Sequence, residues 1–424
     1  MKELLDYCWK HRFFGELMTS DDKTIDVIDP GLFNRNKGPE FFNAKIEIGG
    51  TLLVGNIEIL EKSSEWNLNG YNQNKSYDNV ILLVTASNDC DIFNSENTPI
   101  QQVVVSVPET ISKNYKTLLD GKCDDCLRFN AEHCSQLMIH AWMAALQTEW
   151  LEQATEKLKK LSCDLGKMND AYFVMLARQF GFGINDDVYE LWAKSLPFEA
   201  LRHHSDDLFQ LEAIMLGQAG LLELEVIPEK YQIKALNEGY FAKIRNEYIY
   251  LSHKYSLSSI DYHEWRGGVN AHYSPQRCIS WLANYFYMRH ERSGYCLSLE
   301  ELKMSFNVNV TPYWETHSQF GKVYEYGKKL MQINPNDLVL KVDVPYFFAY
   351  GRCHENEECC DHAFNIMEQC LPRKGKLNKW FEAFGFRITT GGDSLAVIQQ
   401  KHEYCMKKQC LRCRFGYEYM KIKR

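Results

Sequence analysis

The sequence predicts an α+β protein, in which a small N-terminal module with a mixed α/β sheet precedes a much longer, mainly α-helical body. Two patterns indicate this order. Short β-branched and aromatic runs separated by turn residues lie upstream of Cys134, and apolar residues recur at helical spacing downstream of it. The chain has 424 residues, which exceeds the size at which one hydrophobic core usually stops growing. We therefore predict three segments, at residues 1–115, 116–292 and 293–424.

The N-terminal module is predicted to begin with a helix at residues 2–18, whose apolar residues recur at helical spacing. Gly49-Gly50 is a hairpin turn signal between two of the strands that follow. The polar residues 64–79 are expected to form a loop or a partly helical crossover. Five strands are predicted in this module, at residues 24–28, 41–48, 51–60, 80–85 and 101–107. The strand at residues 80–85 is a continuous apolar run, as expected of a strand that is buried on both faces.

The body downstream of Cys134 keeps a helical period almost throughout. A long amphipathic helix is predicted at residues 135–161, and further helices include residues 208–222. The latter contain Gly217-Gln218-Ala219-Gly220, which lacks the preceding strand and the following Lys-Ser/Thr of a phosphate loop. We interpret it as a site of close helix packing.

Composition favours a protein of a reducing compartment. The N-terminus carries acids among its apolar residues and does not resemble a signal peptide, and no apolar run is long enough to span a membrane. We therefore expect a cytoplasmic protein without a membrane partner. Its 15 cysteines are then buried thiols or metal ligands rather than a disulfide framework. No dinucleotide or Walker fingerprint is present, so no nucleotide cofactor is expected.

Several ordered motifs carry a resemblance to a known family. They are GPEFFNA (residues 38–44), GNIEI (55–59), SSEW (63–66), YDNVIL (77–82), GQAGLL (217–222) and CLRC (410–413). On these motifs the sequence resembles a bacterial family known as domain of unknown function 2851, and the resemblance runs essentially from end to end. That family is uncharacterised, so the resemblance implies a fold and a site rather than an activity.

The order of the N-terminal strands also resembles the PD-(D/E)XK nuclease core. That resemblance implies two carboxylates that hold Mg²⁺ or Mn²⁺ for phosphodiester hydrolysis, with a nearby lysine that stabilises developing charge. Glu40 and Glu58 are the implied metal ligands and catalytic acids, and Lys62 is the implied catalytic lysine. Glu3 or Glu16 on the first helix is a possible supporting acid.

The chain departs from these patterns at several positions. Lys62 shares a strand face with Glu58 but lies four residues further on, about 13 Å along the strand, whereas the nuclease pattern requires about 6.6 Å. Where the DUF2851 pattern carries histidines, this chain has other side chains, so catalysis is either lost or independent of them. Those positions are Leu60, Asn69, Tyr71 and Leu83.

A second candidate metal site lies in the C-terminal tail. Cys405, Cys410 and Cys413 have a spacing with which thiolates chelate one tetrahedral ion, and Cys126 or Cys123 would complete the set. His402 is a local alternative. Some nucleases of the same broad fold hold an iron–sulfur cluster with one upstream and three C-terminal cysteines, which is similar in outline. The expected cofactor is zinc or an iron–sulfur cluster, and free thiols on a packed helix are the alternative.

Charge is unevenly distributed along the chain. The net charge is −8, yet residues 401–424 carry eight Lys/Arg against two Glu. This basic tail is a candidate surface for nucleic acid. The leading hypothesis is a nuclease-like protein that binds or weakly hydrolyses nucleic acid with a divalent metal. The alternatives are a noncatalytic scaffold that retains only the fold, or a protein whose cysteines hold a structural metal; protein partners are not predicted.

Overall fold

The structure is a computed structural model that describes residues 2–34, 36–121, 123–267, 270–289, 297–324 and 331–422. The predicted boundary at residues 292/293 and the last two basic residues of the tail lie outside these ranges. The strands are β1 (Leu17–Met18), β2 (Thr24–Asp29), β3 (Leu32–Phe33), β4 (Phe41–Ile48), β5 (Thr51–Lys62), β6 (Val80–Ser87), β7 (Gln101–Val104), β8 (His317–Gln319) and β9 (Lys322–Val323).

Helices make up most of the rest of the described chain. They are α1 (Lys2–His11), α2 (Glu65–Leu68), α3 (Glu109–Asp120), α4 (Asp124–His133), α5 (Gln136–Leu165), α6 (Met168–Arg178), α7 (Asp186–Lys194), α8 (Phe198–His203), α9 (Leu208–Gln218), α10 (Glu229–Glu238), α11 (Tyr240–Tyr255), α12 (Pro275–Arg289), α13 (Leu299–Ser305), α14 (Pro312–Thr316), α15 (Pro335–Leu338), α16 (Val344–Cys353), α17 (Glu357–Gln369), α18 (Lys376–Glu382), α19 (Gly391–Gln399) and α20 (Arg414–Met420). The predicted α+β class is confirmed.

The chain forms two compact units. Unit 1 contains residues 1–139, 383–386 and 400–424, and unit 2 contains residues 140–382 and 387–399. This division differs from the three predicted segments, because α3, α4 and the C-terminal tail belong with the sheet. Long-range hydrogen bonds hold the tail within unit 1. The Nδ2 of Asn114 donates to the carbonyl of Met420 at 3.1 Å, and the Nδ2 of Asn130 donates to the carbonyl of Phe415 at 3.0 Å.

Unit 1 is built on one mixed sheet with the strand order β1-β2-β4-β5-β6-β7, and β3 pairs with β4. The pairs from β1 to β5 are antiparallel, whereas β5–β6 and β6–β7 are parallel. The β4–β5 hairpin turns at Gly49 and Gly50, whose φ angles of 53° and 85° are those that a tight hairpin turn requires. The parallel β6 is reached through a crossover that contains α2, as residues 64–79 were expected to provide.

The first helix is shorter than its periodicity predicts. It ends at His11, and Arg12 adopts a left-handed φ of 54°, a conformation that terminates helices. Residues 17–18, predicted as helix, form β1 instead and pair with β2. The prediction was wrong at these residues because the spacing of apolar residues does not show where a single residue adopts a left-handed conformation.

Two apolar clusters cover the faces of β5. Ile57 and Ile59 belong to a cluster that also contains Leu5 and Trp9 of α1. On the other face, Leu60 belongs to a cluster with side chains of the crossover and of β6, namely Trp66, Tyr77, Val80 and Leu83. The central strand is therefore buried on both sides near its middle, where Glu58 lies.

Unit 2 is a helical body around a large apolar core to which α6, α9, α12 and α16 contribute. The predicted close packing at Gly217 is confirmed: a Cβ at this position would lie 2.1 Å from the ring of Tyr248 on α11. Across the described residues, no helix is both long and apolar enough to cross a membrane.

Candidate metal centre and active site

Glu58 is a carboxylic acid in the middle of a buried strand. Only 1% of its side chain is exposed. Its Oε2 accepts a hydrogen bond of 3.0 Å from the backbone N–H of Glu40, the residue immediately before β4. Because β4 and β5 are antiparallel neighbours with Phe41 opposite Ile57, the strand pairing itself brings these two acids together. The juxtaposition of Glu40 and Glu58 expected from the sequence is therefore present.

Helix α1 contributes two further charged side chains. Lys2 Nζ lies 3.0 Å from Oε2 of Glu40 and 3.9 Å from Oε1 of Glu58. Asp6, one helical turn further on, interacts with Glu40, and its buried Oδ1 has no hydrogen-bond partner among the described residues. We name Lys2, Asp6, Glu40 and Glu58 the acid cluster. It contains three carboxyl groups and one ammonium group.

The acid cluster has less positive than potential negative charge, since Lys2 faces three carboxyl groups. Burial, together with the charge of Glu40, raises the pKa of Glu58 to about 8, although Lys2 opposes the shift. Burial and the charge of Glu40 likewise raise the pKa of Asp6 to about 7. Burial alone would lower the pKa of Lys2, but the hydrogen bond and charge of Glu40 outweigh it, so that pKa is raised. One ammonium group thus cannot keep three neighbouring carboxyl groups ionised near neutral pH.

Aromatic and aliphatic side chains form the wall beside Glu58. The rings of Tyr71 and Tyr77 stack with centroids 4.0 Å apart, and both lie edge-on to Trp66. Burial, a hydrogen bond to Tyr71 and the charge of Glu58 raise the pKa of Tyr77. Leu60 and Leu83 pack into this wall. Three of the positions that depart from the histidine pattern are therefore packing positions in this chain.

The other residues expected at this site lie at exposed positions. Lys62 is exposed at the end of β5, where its charge acts on Asp89 and Glu61. Glu3 and Glu16 are exposed as well, and the charge of Glu3 contributes to the raised pKa of Asp6. Lys2 thus occupies the position beside the acids that Lys62 was expected to hold, and Asp6 is the helix acid. The sequence signal for both was the i, i+4 spacing of Lys2 and Asp6, which places them on one face of α1.

The C-terminal cysteines meet Cys126, the third residue of α4, and Cys123, its N-cap. Cys123, Cys126, Cys405, Cys410 and Cys413 all line one cavity of about 30 Å³ within unit 1. His402, the alternative ligand, is exposed. A hydrogen bond with the Cys405 thiol lowers the pKa of Cys123 to about 6, and the nearby Lys401 adds to this shift against the effect of burial. Burial raises the pKa of Cys410 to about 11.

Gln400 and Lys401 also contact these sulfur atoms. Gln400 Nε2 lies 3.3 Å from the Sγ of Cys405 and 3.3 Å from that of Cys413, and Lys401 Nζ lies 3.5 Å from the Sγ of Cys123. Within the described part of the chain, no group of three or more His, Cys, Asp or Glu side chains already has the arrangement of a metal site. The thiols are engaged with each other and with these two neighbours instead.

The basic tail is partly neutralised by its own glutamates. Lys407 pairs with Glu403 at 2.6 Å, and Arg414 pairs with Glu418 at 2.7 Å. Lys408 Nζ donates to the carbonyl of Gly121 at 3.1 Å. With eight Lys/Arg against two Glu, residues 401–424 nevertheless keep a net positive charge.

Comparison with known families supports the assignment by sequence motifs. Residues 2–376 match the family described as Protein of unknown function (DUF2851). The chain belongs to this family. The DUF2851 match includes α1, β4 and β5, and hence the whole acid cluster, whereas Cys405, Cys410 and Cys413 lie beyond its end. No curated protein and no solved structure matches the chain.

Proposed function

We propose that this DUF2851 protein is a divalent-metal-dependent phosphodiesterase that acts on nucleic acid through the acid cluster. The observation that carries the proposal is the convergence of Asp6, Glu40 and Glu58 from three different elements around a single ammonium group. Such a convergence of one buried and two half-buried acids is costly for stability and is typical of sites that recruit a cation. The order of elements in unit 1 supports a nuclease-like core, since α1 and the antiparallel strands β1 to β5 precede a short crossover and the parallel strands β6 and β7.

The donor set fits Mg²⁺ or Mn²⁺. Both ions prefer oxygen ligands, and the three carboxyl groups supply them. Lys2 alone does not satisfy these acids. The Oδ1 of Asp6 has no hydrogen-bond partner among the described residues, and Asp6 and Glu58 hold protons that a metal ion would displace. A bound divalent ion supplies a water of lowered pKa and stabilises phosphate charge.

The protein side chains would have separate tasks. Asp6, Glu40 and Glu58 would hold the ion, and Asp6 and Glu58, whose pKa values are raised, would give up their protons on binding it. Lys2, kept in place by its ion pair with Glu40, would stabilise negative charge on the phosphate.

We expect slow, metal-dependent cleavage of DNA or RNA that stops when the metal is chelated. Glu58→Gln and Glu40→Gln each remove a ligand while preserving shape, so cleavage should fall at least about 10–100-fold, the range seen when even indirect partners of a metal are lost. Lys2→Met should slow cleavage without abolishing metal binding. The assay uses single- and double-stranded DNA and RNA with Mg²⁺ or Mn²⁺.

Asp26→Asn provides the matched control, because Asp26 is an exposed acid on β2 of the same sheet. It should retain the wild-type rate. Equal rates for wild type and Glu58→Gln would reject the catalytic assignment.

A noncatalytic role is the second candidate, and it is favoured by the packing of Leu60, Leu83 and Tyr71 where the family pattern carries histidine. This candidate would be favoured over hydrolysis if the acid cluster binds a metal but the protein cleaves neither DNA nor RNA, whether single- or double-stranded.

A further inference from the structure

The five cysteines of unit 1 include two Cys-x2-Cys pairs that are nearly 300 residues apart in sequence. Cys123 and Cys126 lie at the start of α4, and Cys410 and Cys413 flank the turn that precedes α20. All four sulfur atoms border the same small cavity. Two such pairs meeting in space are the usual way in which a chain encloses a tetrahedral metal.

We propose that Cys123, Cys126, Cys410 and Cys413 bind one Zn²⁺ ion, with Cys405 as a neighbour outside the ligand set. This site is separate from the acid cluster and does not rest on the function proposed for it. It revises the ligand set expected from the sequence, in which Cys405 took the place of Cys123.

The cavity between the cysteines is small. Its volume is about 30 Å³, and roughly 10–15 Å³ is enough to hold one water molecule, so there is room for a single small ion. Binding of the ion requires the thiols to turn away from Gln400 and Lys401, and Cys has a single side-chain torsion that moves its sulfur.

The backbone around Cys413 is arranged to support a thiolate. The N–H groups of Phe415 and Gly416 both donate to its sulfur. Gly416 is required there, since a Cβ at this position would lie 2.3 Å from the carbonyl oxygen of Cys410. Hydrogen bonds of this kind orient and stabilise metal-bound sulfur in known sites.

Nearby lysines offset the charge of the site. A Zn²⁺ ion with four thiolates carries a net charge of −2, and the thiol protons are released on binding. Lys401 Nζ lies 3.5 Å from the Sγ of Cys123, and Lys408 borders the cavity. Both Cys-x2-Cys pairs are also held in register by Asn130, whose Nδ2 donates to the carbonyls of Cys126 and Phe415 at 2.8 and 3.0 Å.

The test is metal analysis of the full chain, purified without chelators and under reducing conditions. We expect about one zinc and no iron per chain, and X-ray absorption of the zinc should report four sulfur ligands at about 2.3 Å. Because the absorption measurement uses wild-type protein, it does not depend on whether a variant folds. Oxygen or nitrogen ligands, iron with sulfide, or protein that remains metal-free after zinc is supplied would each overturn the proposal.

Serine variants then define the ligand set. Cys123→Ser, Cys126→Ser, Cys410→Ser and Cys413→Ser should each lose most of the zinc. Cys405→Ser should retain it, as should Cys163→Ser, an exposed cysteine of α5 in unit 2. Loss of zinc in Cys405→Ser together with its retention in Cys123→Ser would contradict the ligand set.

Discussion

Glu58→Gln is expected to stabilise the protein at alkaline pH and to leave its stability nearly unchanged near pH 4.5. Glu58 has a pKa of about 8 in the folded chain because it is buried, whereas an unfolded glutamate titrates at 4.5. The folded wild type therefore holds a proton that the unfolded chain loses, and its stability falls as pH rises from 4.5 to 8. Glutamine has the shape of the protonated acid and does not ionise, so it removes this loss.

The expected gain grows through that pH window and reaches a few kcal/mol above pH 8, since each pKa unit corresponds to about 1.4 kcal/mol. The measurement is urea denaturation of wild type and Glu58→Gln at intervals from pH 5 to pH 9. Asp26→Asn, which changes an exposed carboxyl group, should run parallel to wild type across the range. A gain from Glu58→Gln that is the same at every pH would show that Glu58 does not hold a proton in the folded chain.

Glu212→Ala is expected to destabilise unit 2 by about 3–5 kcal/mol, the range for removing one partner of a buried charged network. Glu212 lies on α9 and is 1% exposed. Its Oε2 accepts a hydrogen bond of 2.7 Å from Tyr240, and its Oε1 accepts one of 2.8 Å from Thr311. Alanine leaves both hydroxyl groups in an apolar core without this acceptor and opens a cavity beside them.

Glu212→Gln should cost much less, because its amide still offers an oxygen to one of the two hydroxyl groups. Glu152→Ala, an exposed acid on α5, should change the free energy of unfolding by no more than about 0.5 kcal/mol. All three variants are compared by urea denaturation followed through tryptophan fluorescence. Equal stability of Glu212→Ala and Glu152→Ala would mean that the network around Glu212 is not a source of stability.

Local patterns were enough to predict the sheet and its two acids. The boundaries of β4 follow from its apolar alternation, and the Gly49-Gly50 turn fixes the antiparallel pairing of β4 with β5 as far as Ala44. A register shift between Ala44 and Phe41, which the sequence did not reveal, then sets Glu40 beside Glu58. The sequence also indicated that Lys62 is unsuitable as the catalytic lysine, because strand geometry alone places it too far along β5 from Glu58. These features depend on residues that are close in sequence, where the geometry of strands leaves few choices.

The remaining parts of both sites depend on contacts between distant segments. Asp6 and Lys2 join the acid cluster because α1 packs against β5 in one particular register, which periodicity does not determine. Cys123 meets Cys410 because buried amides such as Asn130 tie α4 to the tail. Cysteine spacing predicted that Cys126 or Cys123 would join Cys405, Cys410 and Cys413, but not that both upstream cysteines line the same cavity.

Mn²⁺ binding to the acid cluster tests the central claim most directly. Titration calorimetry of the full chain with Mn²⁺ at pH 6 and pH 8.5 should show tighter binding at the higher pH, because Mn²⁺ competes with the protons on Asp6 and Glu58, whose pKa values are about 7 and about 8. Binding should be lost in Glu58→Gln and retained in Asp26→Asn. Mn²⁺ affinity that is independent of pH and unchanged in Glu58→Gln would contradict the assignment of this cluster as a metal centre.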